Sequence, residues 1–148
     1  MGHPVTGRDT GFTLVELLIV VAIVSVLAVG AGLAVSRAPA ADRDLSRFLA
    51  ALSRERALAV IGGQSRGLVI GARGMAAVGR DASGWQVPQH MAPWRGRVTL
   101  TGERVANGPD IVFLANGAGS AWRITFSGDG GSRRCAGEGM TEPTCSGG

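Results

Sequence analysis

The apolar positions of this chain fall into three regimes. From Leu17 to Val35 they run unbroken: nineteen residues carry no charge, and Ser25 is the single polar side chain among them. As a helix, that run is about 28 Å long, close to the hydrocarbon thickness of a bilayer. From Asp42 the apolar residues thin to a helical period, with Leu45, Phe48, Leu49, Leu52, Ala59 and Val60 on one face. "IGGQ" at Ile61–Gln64 supplies a glycine stop. Gly30, Gly32 and Pro39 are the points where a helix joining the two regimes would bend or unwind. Arg56 interrupts the amphipathic face, and the sequence offers no reason for it.

After Gly63 the runs shorten to "RGLVIG", "GMAAVGR", "WQV", "RVTLTG", "DIVFLA" and "AWRITF", separated by glycine, proline, Asn-Gly and Asp-Gly signals. Such spacing predicts antiparallel hairpins or a small two-sheet arrangement, with the amphipathic helix covering one face. The fold class expected is α+β.

One residue sits oddly in this pattern. Glu16 stands at the head of the uniform run, where a carboxylate costs a few kcal/mol unless it has a partner. Arg8 lies eight residues upstream, outside the run. An ordinary signal peptide would take Arg8 as its n-region and "APAA" at Ala38–Ala41 as its cleavage site, but the run exceeds the usual h-region of roughly 7–15 residues. A plain signal anchor is the second reading, and Glu16 weighs against both. The flanking charges point the opposite way to export: Arg8 is offset by Asp9, while Arg37, Arg43 and Arg47 follow the run, which by charge alone keeps the C-terminal side in the cytoplasm.

Composition adds little. The 148 residues suffice for one domain with a modest core plus an attached segment. All 15 basic residues are arginine, and the net charge is +4, which permits contact with nucleic acid or anionic lipid without establishing it. No enzyme emerges. His90, beside Met91 and Pro93, has no triad context. "GARGMAAVGRDASG" lacks the P-loop lysine and the dinucleotide spacing. No cofactor or metal is expected.

"GFTLVELLIVVAIVSVLA" resembles the class III signal of type IV pilins and type II secretion pseudopilins. The resemblance implies cleavage by a prepilin peptidase between Gly11 and Phe12 at the cytoplasmic face, followed by N-methylation of Phe12. It also supplies the missing partner. Glu16 becomes the fifth residue of the mature chain, where it would pair with the α-ammonium of a neighbouring subunit, so that two charges costly alone in lipid become one assembly contact. The implied orientation puts the globular part in the periplasm, against the charge count.

"LSRERALAVIGGQSRGLVI" resembles the helix end and first strand of the GspH/FimT-like minor pilin group, and "GWQV" with "PDIVFLANGAGSAWRITF" resembles its later strands. The implied fold is pilin-like, with a long N-terminal helix, half in the membrane and half packed on a small antiparallel β domain. The implied division is a leader over 1–11, a transmembrane helix over 12–37, its periplasmic half over 38–62 and a β domain over 63–134. A glycine-rich, looped tail over 135–148 stands where the group has its last strand.

Cys135 and Cys145 are the only cysteines. In an exported domain they are expected to form a disulfide. "WRGR" at Trp94–Arg97 and "SRR" at Ser132–Arg134 place Arg95, Arg97, Arg133 and Arg134 as candidate contacts to a nucleic-acid backbone; the plainer reading is solvated loops. Two functions follow from the resemblance. One is a minor pseudopilin of the H type, near the tip of a periplasmic fibre, with other pseudopilins, the prepilin peptidase, the inner membrane and exported proteins as partners. The other is a FimT-like minor pilin that binds DNA for uptake or takes part in pilus assembly.

Overall fold

The computed structural model describes residues 13–33, 38–102 and 107–148, with side chains for all of these except 27–33. The chain divides into two compact units, 1–37 and 38–148. In the first, α1 (Leu14–Leu33) is apolar on every side. Its described side chains are all exposed, from Leu14 to Val26. Among the described residues no helix is long and apolar enough to cross a membrane; the expected span runs on through 27–37, beyond the described side chains.

The second unit begins with α2 (Ala40–Gly62). Pro39 has φ −51° and ψ 151°, outside the helical range, so α2 starts after it, at one of the points where the sequence allowed a bend or unwinding. At its other end Gly63 takes φ 60°, a left-handed conformation that suits glycine. There Gln64 N–H donates to Ala59 O and Gly63 N–H to Val60 O, the paired bonds of a Schellman stop.

Nine strands follow: β1 (Arg66–Gly71), β2 (Gly74–Asp81), β3 (Gly84–Trp85), β4 (Ala92–Pro93), β5 (Arg97–Thr101), β6 (Ile111–Phe113), β7 (Gly119–Gly128), β8 (Gly131–Gly139) and β9 (Thr144–Gly147). They form one antiparallel sheet in the order β3-β2-β1-β6-β7-β8-β9, with β4 added to β2 and β5 to β7. β7 is the longest strand. Along one edge it pairs with β6 through Gly119 and with β5 through Arg123–Ser127, and along the other with β8. The turn from β2 to β3 is held by Asp81, which accepts the Ser83 hydroxyl and backbone N–H. Those hydrogen bonds hold its carboxyl below the usual aspartate value.

Two sequence expectations change here. The segment expected as a looped tail is a β-hairpin, with Arg133–Ala136 of β8 in register with Gly147–Thr144 of β9. Its glycines and serines have low strand propensity, yet β7 offers a long edge and pairing follows. The short β4 also lay outside the expected runs.

The core is built between α2 and the sheet. Phe48 packs edge-on against Trp122 at 5.1 Å between ring centroids and against Phe126 at 5.5 Å, and Trp94 closes on Phe126 at 5.9 Å. Leu52, Ala59, Leu68, Ile70, Met75, Ile111, Phe113 and Ile124 complete the cluster. Every buried core residue among those described lies between Ala41 and Cys135, so the described core of the compact unit 38–148 is built from that unit's own side chains.

The buried face of α2 is Ala41, Asp44, Phe48, Leu52, Glu55 and Ala59. Two of those six are carboxylates that periodicity would have placed in solvent. Both are satisfied. Asp44 accepts Gly96 N–H at 2.8 Å and Arg95 N–H at 2.9 Å, and Glu55 takes the Arg66 guanidinium. Val60, expected on the core face, is half exposed.

Candidate functional site

Gly11 and Phe12, the expected processing pair, lie outside the described residues. Glu16 is described and exposed, in the first turn of α1. Its N–H donates to Thr13 Oγ1 at 3.3 Å and to Thr13 O at 3.0 Å. Thr13 therefore caps the helix, and "TLVE" is the Ser/Thr-x-x-Glu arrangement that opens helices. A carboxylate in the first turn also faces the positive end of the helix dipole. Glu16 thus has a local role in starting α1 besides any role toward a neighbour, and the spacing to Thr13 was the signal that announced it.

The candidate arginines separate. Side chains alternate along a strand, so Trp122, Ile124 and Phe126 of β7 point under α2, while Arg123, Thr125 and Ser127 point away from it. By register, Arg97 of β5 stands opposite Ser127 and Arg134 of β8 opposite Thr125. Arg97, Arg123 and Arg134 therefore share the outer face, all exposed, among Thr99, Thr101, Thr125 and Ser127. No ion pair joins any of the three among the described residues. Arg123 was missed because it sits inside a run that reads as a core strand.

Arg133 has the opposite parity. It faces the helix side, where its Nε meets Asp42 of α2 at 2.8 Å. Arg95 lies between β4 and β5, and its backbone N–H serves Asp44. "SRR" is strand rather than solvated loop. Trp94 is no free stacking platform either: its ring packs on Phe126 and its Nε1–H donates to Gly71 O at 3.0 Å. The aromatic that made "WRGR" look suited to bases belongs to the core.

Cys135 and Cys145 are joined by a disulfide across β8 and β9, with Cα atoms 4.2 Å apart. Cys135 is buried against the core and Cys145 is exposed. The bond ties the edge strand, whose four residues are all exposed, to the interior. Among the described residues no cluster of His, Cys, Asp and Glu could hold a metal ion.

Comparison with known proteins bears on both units. Residues 7–32 match the prokaryotic N-terminal methylation motif. The minor pseudopilin EpsH from the type 2 secretion system of Vibrio cholerae matches over 72% of this chain and 96% of its own, with TM-score 0.59 and 17% identity. GspH of E. coli matches over 72% of this chain and 87% of its own, with TM-score 0.58 and 18% identity. The globular fold is that of a minor pseudopilin. At such identity the likeness speaks for the fold alone. No curated protein matches the chain by sequence.

The pseudopilin fold accounts for the amphipathic α2 laid on an antiparallel sheet. The methylation motif covers Gly11 and Phe12, the capping Thr13, Glu16 and most of α1.

Proposed function

We propose that this chain is a minor pseudopilin of a type II secretion system, a structural subunit at or near the tip of a periplasmic fibre that helps move folded proteins across the outer membrane. The observation that carries the reading is the conjunction of two independent features. A prepilin-type methylation motif over 7–32 precedes a globular unit with the pseudopilin fold. In this reading the peptidase cuts after Gly11 and methylates Phe12, and α1 anchors the subunit in the inner membrane. Glu16 then meets the α-ammonium of a neighbouring pseudopilin. The exposed apolar surface of α1 suits lipid and packed subunits, since a helix apolar on every side needs one or the other. The disulfide suits an oxidising periplasm. No catalytic step is assigned.

The DNA-uptake reading has less support. It asked Arg95, Arg97, Arg133 and Arg134 to act with Trp94, and Arg133 and Trp94 are engaged within the domain.

N-terminal mass spectrometry of the protein from its own cells tests the processing step, with N-methylated Phe12 expected and an N-terminus at Ala41 counting against it. Glu16→Ala tests assembly. The variant should insert and be cleaved, because removing a charge makes the span more apolar, yet enter fibres poorly because the ammonium in lipid has lost its counter-charge. Normal incorporation would sink the docking role.

A further inference from the structure

Arg56 has no explanation in the sequence, and the structure leaves most of its hydrogen-bonding capacity unused. It is half buried on α2, with its guanidinium 5.5 Å from the centroid of the Phe113 ring. Nη2 donates to Gly139 O at 3.1 Å. No carboxylate pairs with it among the described residues. A guanidinium carries five N–H donors in a planar fork shaped for a carboxylate.

The space beside it is a groove of about 500 Å³ between the C-terminal half of α2 and the loop joining β8 to β9. Leu52, Val60, Phe113, Trp122 and Pro143 line it, with Arg56. Gly137 opens one wall: a Cβ there would stand 2.6 Å from the Trp122 ring, so glycine lets the indole lie flat against the β8 backbone. Glu142 also lines the groove; it is exposed and makes no ion pair with Arg56. An apolar concavity of this size with one convergent polar group is the usual form of a small-molecule site.

We infer that this groove binds a small amphipathic carboxylate, with an acyl or aryl body against Val60, Pro143 and the accessible edge of Trp122 and its carboxylate on the Arg56 fork. The assignment does not depend on the secretion reading, because it rests on residues within 38–148 alone. Charge complementarity selects the ligand class. A neutral apolar molecule would leave the guanidinium unmet, and a cation would be repelled by it. A carboxylate gains charge-assisted hydrogen bonds to an already partly desolvated partner.

Residues 38–148, a compact unit whose described core is built from its own side chains, provide the test. Octanoate, octanol and octylammonium are titrated while NMR follows the Trp122 indole N–H and the Arg56 Nε–H. Octanoate is expected to saturate both signals and to bind about tenfold or more tighter than octanol, with octylammonium weakest. Arg56→Leu should bring octanoate down to the level of octanol, and Arg56→Lys should fall between. Ala57→Phe, at an exposed helix position on the groove, should block both ligands with Arg56 in place. Thermal melts verify that each variant is folded, and the Ala57→Phe variant carries the test if Arg56→Leu unfolds. Equal affinity for octanoate and octanol would overturn the inference, as would unsaturable shifts. Tighter binding of a short peptide ending in leucine carboxylate than of octanoate would overturn it in favour of a polypeptide end.

Discussion

The two faces of β7 and β8 are built from the same strands and differ in almost everything else. Toward α2 stand Trp122, Ile124, Phe126 and Cys135, each at most 6% exposed, under a helix whose Phe48 ring packs against Trp122 and Phe126. Away from it stand Arg123, Thr125, Ser127 and Arg134, with no ion pair among the described residues. The inner face holds the domain together through burial and close packing, which are intolerant of lost volume. The outer face contributes charge and hydroxyls to water, where exposed groups are worth little to stability. The difference shows that stability and surface chemistry are separable in this domain, strand residue by strand residue.

Substitutions on residues 38–148, followed by urea unfolding, can break or sharpen that contrast. Phe126→Ala should have the largest effect, a loss of about 3–5 kcal/mol, because Phe126 is fully buried and touches both Phe48 and Trp94. A loss below about 1 kcal/mol would mean that the inner face is loosely packed.

Asp44→Ala comes next, at about 2–4 kcal/mol, since it strands the Arg95 and Gly96 N–H groups and leaves a buried gap. Asp44→Asn, which keeps an acceptor oxygen, should cost clearly less. Equal losses for the two would show that the charge itself, and not the hydrogen bonds, holds that loop.

Cys145→Ser should cost about 2–3 kcal/mol in the chain-entropy view. Its effect should be concentrated at β9, with amide exchange there accelerated more than in β1 or β7. Uniform acceleration would mean that the bond secures the inner face as a whole.

The smallest effect belongs to the outer face. Arg123→Ser combined with Arg134→Ser should change stability by no more than about 0.5 kcal/mol. A loss of several kcal/mol would end the contrast and place these arginines among the residues that hold the fold.

The legibility of the chain follows the range of its interactions. Features set by local sequence were readable: the uniform run of α1, the period and glycine stop of α2, and the short β-rich runs of β1, β5 and β7 between turn signals. So were the pairing of the two cysteines and the methylation motif over residues 7–32. Each depends on neighbours a few positions away, so composition and spacing determine it. The buried carboxylates were not readable. Asp44 looks solvated on its own helix, and the N–H groups that make its burial tolerable lie 51 and 52 residues further along. Arg56 finds its acceptor 83 residues away. β8 and β9 form although their sequence disfavours strands, because β7 presents an edge and the disulfide fastens the second strand. Splitting the arginines into those on the outer face and the one bound to Asp42 also required register, since a shift of one residue exchanges the faces. The sequence by itself determined the helical segments, the strands β1, β2, β5, β6 and β7, and the motif over residues 7–32. Only the tertiary structure decided which polar groups are buried, because burying a charge is a bargain struck with distant donors that no local pattern records.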